Sequence, residues 1–320
     1  MNILLTGSSG FVGRALLKKL PKQNTFALGR SRPKNLSPDS FFKMEIDSTS
    51  NYMNALVNVD VVIHLAARVH VMYDSIDNPL EEYREVNTRG TANLARQAAA
   101  SGVKRFIFIS SIKVNGESTV SGKPYSHLDE PSPSDYYGQS KAEAEKELFK
   151  IGRETGMEIV VIRPTLIFGP GVKANFALLM NLASKGIPLP FARVKNNKRS
   201  LVSVDNLVDL IMTCIEHPKA ANQVFLVSDE HDVSTSEMVH LMSHALSKPT
   251  WQFPVPVWCY KLAGKALNKS DFVDRLTSSL QVDISHTKET LGWVPPQSLQ
   301  EGFKQTAEAF LQSKKSSGKA

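Results

Sequence analysis

A chain of 320 residues is long enough for one large domain, or for two domains that share a core. Apolar residues make up 42% and charged residues 22%, shares that exclude intrinsic disorder and fibrous repeats. The net charge of +7 includes no run of Lys and Arg interleaved with aromatics, so we expect no nucleic-acid partner. No apolar run reaches the roughly 18 to 20 residues that span a bilayer, so we expect no membrane insertion.

The N-terminal residues predict a cytoplasmic protein, because a glycine-rich turn at Gly7 interrupts any signal-like apolar run. Only two cysteines occur, Cys214 and Cys259, and they form no Cys-x₂-Cys pair. We therefore expect free thiols, no disulfide framework and no metal site.

Short β-branched runs alternate with helical patterns through the first two thirds of the chain. Strands are predicted at 2–7, 25–29, 41–47, 60–67, 105–111 and 158–164. Helices are predicted between them at 11–20, 81–102 and 136–156. This alternation is typical of the α/β class with a Rossmann-type, doubly wound parallel sheet.

After Pro164 the pattern changes to longer helices joined by proline-rich connections. A helix within 199–217 and a strand within 222–229 are predicted to rejoin the sheet. The dinucleotide-binding domain is therefore predicted at 1–168, joined by about 200–229. The smaller, mainly helical substrate-binding domain is predicted at 169–199 and 230–312, and a frayed tail at 313–320.

A glycine-rich turn links the first strand to the first helix. Its spacing is G-x-x-G-x-x-G, which supplies a tight turn, a bare backbone for a pyrophosphate and close helix packing. An ordinary strand-to-helix turn is the alternative interpretation. The candidate dinucleotide-binding residues here are Gly7, Ser9, Gly10, Phe11, Val12 and Gly13.

The end of the second strand bears on which cofactor binds. An acid there would bond the ribose 2′-hydroxyl of NAD, but Gly29 stands in its place, followed by Arg30 and Arg32. Arginine suits a 2′-phosphate, so the residues favour NADP over NAD. A solvated basic loop is the alternative.

The ends of the third and fourth strands supply further cofactor candidates. Asp47, beside Ile46, is a candidate partner of the adenine amino group, or else a helix cap. The fourth strand ends in mostly small residues that would let a cofactor lie close, namely Leu65, Ala66 and Ala67. His64 is interpreted as a core histidine.

Tyr137 and Lys141 are four residues apart in a predicted helix, so they share one face, whereas Tyr136 points elsewhere. A phenol has an ordinary pKa near 10, and a neighbouring ammonium and an oxidised nicotinamide would lower it. Ser110 and Ser111 end the fifth strand, at the edge where doubly wound sheets bind ligands. Together these residues predict proton transfer to or from a substrate oxygen.

These motifs resemble the extended short-chain dehydrogenase/reductases, in the NAD-dependent epimerase/dehydratase family. The resemblance runs from "TGSSGFVG" through "HLAA", "NTRGT", "SSIKVNGE", "YYGQSK" and "RPTLIFGPG" to "RSLVSVDNLVD" and "LGWVPPQSLQEG". It is nearest in pattern to UDP-glucose 4-epimerase-like proteins of bacterial surface-polysaccharide loci. The resemblance implies a Rossmann fold, a nicotinamide cofactor, a UDP-sugar substrate and a homodimer formed through the two long helices.

The same resemblance implies a role for individual residues. Ser111 would bond the sugar oxygen, Tyr137 would be the general acid/base, and Lys141 would bind the nicotinamide ribose. The remaining cofactor candidates are Asn87, which would also support the central helix, together with Ser110 and Pro164.

Four further residues are substrate-binding candidates by resemblance. Asn175 and Arg199 would meet the nucleotide diphosphate, with a surface charge as the alternative for Arg199. Lys113 and Asn115 would line the sugar pocket, where Asn115 departs from the tyrosine of the family's "VYG" element.

Three functions stay open from the sequence. Arg30 favours NADPH-dependent reduction of a UDP-4-keto-6-deoxy sugar at C4. A 4-epimerase of the UDP-glucose or UDP-GlcNAc type with bound NAD is the alternative, and a non-catalytic dinucleotide sensor is the alternative of another class. A 4,6-dehydratase is disfavoured, because Ile112 and Lys113 follow Ser111 where the family has an Asp-Glu pair.

Overall fold

The computed structural model describes residues 1–69, 78–120, 122–268 and 270–316, apart from the side chains of residues 174, 175 and 271. In this part of the chain, no helix is long and apolar enough to cross a membrane.

The centre of the fold is a parallel sheet of seven strands in the order β3-β2-β1-β4-β5-β6-β9. Apart from the short edge strand β3, the strands are apolar and largely buried, as expected when helices cover both faces. The predicted doubly wound sheet is thus confirmed. The strands are β1 Ile3–Thr6, β2 Thr25–Gly29, β3 Phe41–Lys43, β4 Val61–His64, β5 Arg105–Ile109, β6 Glu158–Pro164 and β9 Gln223–Val227.

Helices cover the two faces of this sheet. The predicted helix 81–102 contains an internal π-helical turn at Glu85–Gly90, and the predicted helix 11–20 is regular only to Leu16. The helices of the first half are α1 Phe11–Leu16, α2 Pro79–Arg84, α3 Thr91–Ala100 and α4 Tyr136–Thr155. The last of these ends at Gly156, whose φ of 78° is the left-handed conformation that favours glycine.

The strand predicted at 41–47 ends at Lys43, because the chain then enters a turn around Asp47. The Asp47 carboxylate accepts hydrogen bonds from the backbone amides of Thr49 and Ser50 at 2.8 and 2.7 Å. These bonds replace strand pairing with an Asx-type turn.

The second half of the chain adds a small parallel sheet and seven helices within the described residues. Strand β7 Leu166–Phe168 pairs with β8 Leu201–Ser203, and α6 packs on the main sheet beside α1. The helices are α5 Ala174–Ser184, α6 Val204–Glu216, α7 Thr235–Ala245, α8 Val257–Ala266, α9 Ser270–Thr277, α10 Ser285–Leu291 and α11 Leu299–Ser316. The tail predicted from 313 is therefore helical through Ser316.

A separate apolar core joins the helices of this second half, with Phe168, Phe176 and Phe303 in mutual ring contact. Strand β9 returns to the main sheet beside β6, as predicted for 222–229. The chain crosses between the two cores more than once. The interleaved domain division and its boundaries stay a prediction.

Candidate active site

The turn between β1 and α1 has almost no room for side chains. Gly7 has a φ of +70°, and a Cβ built on it would lie 2.7 Å from the backbone nitrogen of Ala66. A Cβ on Gly13 would lie 2.3 Å from the Gly7 carbonyl oxygen. The Ser8 hydroxyl is buried without a hydrogen-bond partner among the described residues. A bare backbone beside an unsatisfied hydroxyl fits a phosphate-binding turn, so the residues present fit a dinucleotide.

A buried hydrogen-bond chain holds this turn against the end of β4. Thr6 Oγ1 accepts from the Ala66 amide at 3.1 Å and contacts His64 Nδ1 at 2.8 Å. His64 Nε2 contacts Thr91 Oγ1 at 2.9 Å. Burial lowers the pKa of His64 to about 3, so the ring is neutral. His64 is thus a satisfied core histidine, as the sequence indicates.

The end of β2 leaves Arg30 exposed, with open space around Gly29. Arg32 donates to the Leu36 carbonyl oxygen and so braces its own loop. Both carboxylate oxygens of Asp47 accept bonds within an Asx-type turn that starts no helix, so Asp47 is not the helix cap named as the alternative. The adenine contact of Asp47 stays a prediction.

Tyr137 and Lys141 lie on one face of α4, which Asp135 caps by accepting from the Gly138 amide at 2.7 Å. Lys141 is 1% exposed, and its Nζ donates to the Ile109 carbonyl oxygen at 2.9 Å. The Nζ also lies 4.2 Å from the centroid of the Phe108 ring and 6.0 Å from that of Tyr137. The pair predicted from spacing is therefore assembled at the end of β5.

Burial has opposite effects on the pKa values of this pair. It lowers the pKa of Lys141 to about 7, against the opposing charge of Glu145. It raises the pKa of Tyr137 above the ordinary value, with Asp135 and Tyr83 adding to the rise. Without cofactor the pKa of Tyr137 is therefore raised, and the predicted lowering by Lys141 together with an oxidised nicotinamide stays a prediction. The reason for the rise is that burial destabilises the phenolate, and the charges of Asp135 and Tyr83 destabilise it further.

Ser111 lies between β5 and a short 3₁₀ turn at Ile112–Val114, where its Oγ accepts from the Lys113 amide at 3.2 Å. This turn packs closely on the start of α4, since a Cβ on Gly138 would lie 2.6 Å from the Lys113 carbonyl oxygen. Because Gly138 has no side chain, the turn that follows Ser111 can approach Tyr137.

Asn87 lies in the π-helical turn and is fully buried. Its Oδ1 accepts from the Arg68 amide at 2.8 Å, and its Nδ2 donates to Ser140 Oγ at 2.9 Å. Asn87 therefore ties the segment after β4 to the turn of α4 that carries Tyr137 and Lys141. This agrees with the predicted support of the central helix.

A buried ion pair behind the site was not predicted. Arg163 of β6 donates Nη2 to Glu145 Oε2 at 2.5 Å and Nε to Oε1 at 3.1 Å. Its Nη1 donates to Asn115 Oδ1 at 3.0 Å, and the Ser110 hydroxyl donates to Glu145. The sequence signals were an arginine in an apolar strand and a glutamate four residues after Lys141.

This network bears on three predicted contacts. Asn115 is 1% exposed within it, and the Ser110 hydroxyl is committed to Glu145. Lys113 forms ion pairs with Asp135 and, at 2.7 Å, with Glu117. Direct contacts of Asn115 and Lys113 with sugar, and of Ser110 with cofactor, stay predictions.

Arg199 lies in the second half, where its Nη1 donates to the Ser278 carbonyl oxygen at 3.3 Å. Burial and the charge of Arg275 lower the pKa of Arg199 to about 10, with Glu117 opposing. Within the described residues, no acid forms an ion pair with either arginine. No motif in the sequence pointed to Arg275. Asn175 is in the first turn of α5, and its side chain lies outside the described residues.

The remaining predicted positions are at the edge formed by the strand ends. Ile46 and Pro164 are buried there, and Leu65 and Ala67 are partly exposed. Ser9 and Gly10 are exposed in the glycine-rich turn, next to the partly exposed Phe11 and Val12. Among the described residues, no cluster of His, Cys, Asp and Glu could hold a metal ion.

A family model described as the NAD dependent epimerase/dehydratase family matches residues 3–228. The chain belongs to this family. Over 315 residues it is 62% identical to a UDP-glucose 4-epimerase of Vibrio cholerae, covering 98% of this chain and 96% of the relative. It is also 29% identical over 340 residues to N-acetyl-alpha-D-glucosaminyl-diphospho-ditrans,octacis-undecaprenol 4-epimerase of Escherichia coli O157:H7, covering 98% and 97% of the two chains.

Among solved structures, the UDP-glucose 4-epimerase of Thermotoga maritima with UDP-glucose matches with a TM-score of 0.78 and 25% identity. The match covers 98% of this chain and 99% of that one. The epimerase/dehydratase fold and the resemblance found in the sequence are confirmed. The chain is an NAD-dependent sugar-nucleotide enzyme of this family, with activity of the 4-epimerase/dehydratase type.

Proposed function

We propose that the protein is a UDP-hexose 4-epimerase. The observation that carries this proposal is that Ser111, Tyr137 and Lys141 lie together at the end of β5, on the sheet edge that also carries the glycine-rich turn. The 62% identical relative is a 4-epimerase, which favours this function over the reductase that Arg30 suggested. Retention of all three residues weighs against a non-catalytic sensor.

Tyr137 is the proposed proton carrier. As the phenolate, Tyr137 takes the proton of the sugar C4 hydroxyl and becomes the neutral phenol, which later returns the proton, while the Ser111 hydroxyl bonds the same sugar oxygen. A nicotinamide cofactor held by the glycine-rich turn and Lys141 would supply the hydride chemistry at C4, and its oxidised form would add positive charge near the phenol. Proton and hydride both return to the sugar, so the protein consumes no cofactor.

In the protein without cofactor, the Lys141 ammonium that would assist this proton transfer is only partly present. Lys141 has a pKa of about 7, so near neutral pH its ammonium and amine forms coexist. We propose that Lys141 donates to the ribose of the cofactor and is held charged there. A charged Lys141 on the Tyr137 face of α4 then stabilises the phenolate.

The choice between NAD and NADP depends on the end of β2. The epimerase needs only a bound cofactor, which supports NAD, as the family description also does. Arg30 is exposed, and the residue before it in the chain is Gly29 rather than an acid. Arg30 could therefore bind a 2′-phosphate. Mass spectrometry of the cofactor released from purified protein tests the proposal, and recovered NADP would reopen the reductase.

Two arginines are proposed to bind the substrate diphosphate. The charges of Arg199 and Arg275 act on each other, and neither has a carboxylate partner among the described residues. Mutual repulsion is relieved by a ligand with two negative charges, and guanidinium forks suit phosphate oxygens. This supports the predicted contact of Arg199 and adds Arg275 to it.

A homodimer and a cytoplasmic location stay expectations. In one chain, α2 and α3 pack beside α4 and form the ion pairs Arg84–Glu143 and Arg96–Glu147. Sedimentation equilibrium of the purified protein tests the dimer, and a monomer at micromolar concentration would contradict it.

The experiment for the function is interconversion of UDP-glucose and UDP-galactose by the purified protein. Tyr137→Phe should lower kcat by about 10²- to 10⁴-fold, the range of general acid/base catalysis. Tyr136→Phe is the matched control, because Tyr136 is adjacent but 51% exposed. Equal activity of Tyr137→Phe and the unchanged protein would refute the assignment.

A further inference from the structure

The second half of the chain exposes an unusual set of large apolar side chains. Trp251 is 73% exposed and Trp258 is 63% exposed, whereas Trp293, the third tryptophan, is 5% exposed. Phe253, Leu262 and Leu267 are also exposed. We call this set the α8 surface: Trp251, Phe253, Trp258, Leu262 and Leu267, with Lys248, Lys261 and Lys265.

The extended part of the α8 surface is held in place by the backbone. The amide of Leu189 donates to the Trp251 carbonyl oxygen at 3.2 Å, and the Phe253 amide donates to the Leu189 carbonyl oxygen at 3.0 Å. Gln252 turns inward, since its Nε2 donates to the Ser236 carbonyl oxygen at 2.9 Å. Side chains alternate in extended backbone, so Trp251 and Phe253 are directed outward.

The helical part has an inner and an outer face. Val257 and Tyr260 pack on the second-half core, and the ring of Tyr260 stacks on Phe191 at 6.2 Å. Trp258 and Leu262 are four residues apart and therefore form a separate stripe, which is exposed. The outer stripe is thus presented by a fixed helix.

The charge of the α8 surface has one sign. No Asp or Glu occurs between Glu237 and Asp271, and Lys248, Lys261 and Lys265 are all exposed. Asp274 of the neighbouring α9 is an exposed acid near its edge. Exposed tryptophans with flanking lysines are typical of segments that lie in the interface of an anionic membrane.

We propose that the α8 surface docks the protein on an anionic phospholipid bilayer. The aromatic rings enter the headgroup region and the lysines meet the lipid phosphates. A second copy of the chain is the weaker occupant, because a twofold contact through this surface would place the same lysines against each other. The proposal concerns peripheral docking and is independent of the sugar specificity.

The test is co-sedimentation with vesicles of phosphatidylethanolamine and phosphatidylglycerol, compared with vesicles of phosphatidylcholine alone. Binding should be selective for the anionic vesicles, weaken with salt and shift tryptophan emission to the blue. Trp251→Ser with Trp258→Ser should abolish both signals. Each of Lys248→Gln, Lys261→Gln and Lys265→Gln should weaken vesicle binding about fivefold.

The controls are exposed residues elsewhere: Val57→Ser for the apolar changes, and Lys18→Gln with Lys19→Gln for the charge changes. They should leave vesicle binding unchanged. Turnover of UDP-glucose in solution should be the same in all variants, so failure of the function assay and failure of docking are distinguishable.

Three results would overturn the docking proposal. One is no sedimentation with anionic vesicles at low salt by folded protein. Another is binding that survives the α8 surface variants. The third is a dimer that Trp258→Ser dissociates, without vesicle binding, which would assign the surface to a second copy.

Discussion

Lys141 lies one helical turn after Tyr137, with its Nζ 6.0 Å from the centroid of the tyrosine ring and bonded to the Ile109 carbonyl oxygen. Burial favours the neutral form of both groups, so the protein alone holds a protonated phenol beside a lysine with a pKa near 7. In the proposed mechanism, Lys141 is charged and Tyr137 can form the phenolate only when the cofactor is bound.

The buried lysine predicts a pH dependence of stability in the cofactor-free protein. The folded pKa of Lys141 is about 7, below the ordinary 10.5 of the unfolded chain. Between these values the unfolded chain binds the extra proton, so the free energy of unfolding should rise with pH in this window. Lys141→Met should remove this rise in urea unfolding, whereas exposed Lys150→Met should keep it. Equal pH profiles for Lys141→Met and the unchanged protein would contradict the buried site.

Arg199 and Arg275, which have no ion-pair partner among the described residues, predict a binding effect. Arg275→Ala should weaken UDP binding by about tenfold or more, since a charge-assisted bond contributes about 1.5–3 kcal/mol. KM for the UDP-sugar should rise more than kcat falls. Titration calorimetry with UDP measures the effect, and exposed Arg153→Ala is the control. Unchanged affinity in Arg275→Ala would remove this residue from the substrate site.

The Glu145–Arg163 pair predicts a stability effect that depends on which partner is removed. Glu145→Ala leaves a buried arginine uncompensated and should cost about 3–5 kcal/mol in free energy of unfolding. Replacing both residues by methionine should cost less free energy of unfolding than Glu145→Met and Arg163→Met cost in sum. Chemical denaturation measures this cycle, and strictly additive losses would show that the pair is not coupled.

How far the sequence predicts this molecule depends on the range of the contacts. The residue patterns of strands, helices and the glycine-rich turn are local in the chain. The sheet, this turn and the Tyr137–Lys141 pair could therefore be predicted. The π-helical turn around Asn87 could not, because its residues are compatible with a regular helix. The charge of Arg275 acts on Arg199 from a distant segment of the chain, and no local pattern records such proximity. The raised pKa of Tyr137 follows from burial, which spacing does not measure.

The open space around Gly29 predicts a change of cofactor preference. Gly29→Asp introduces an acid that can bond a ribose 2′-hydroxyl and repel a 2′-phosphate, and its side chain has room. The ratio of NAD to NADP affinity should rise by about tenfold or more. Gly29→Ala controls for the added Cβ. Intrinsic fluorescence titration with both cofactors measures the ratio, and no change would place the ribose elsewhere.

The most direct test of the central claim follows the C4 hydrogen of the sugar. Purified protein, with no cofactor added, is incubated with UDP-glucose deuterated at C4, and the products are analysed by NMR. A 4-epimerase that returns the same hydride should form UDP-galactose that retains deuterium at C4, and Tyr137→Phe should not. Absence of UDP-galactose, together with stoichiometric NADPH oxidation by a UDP-4-keto-6-deoxy sugar, would contradict the epimerase and establish the reductase.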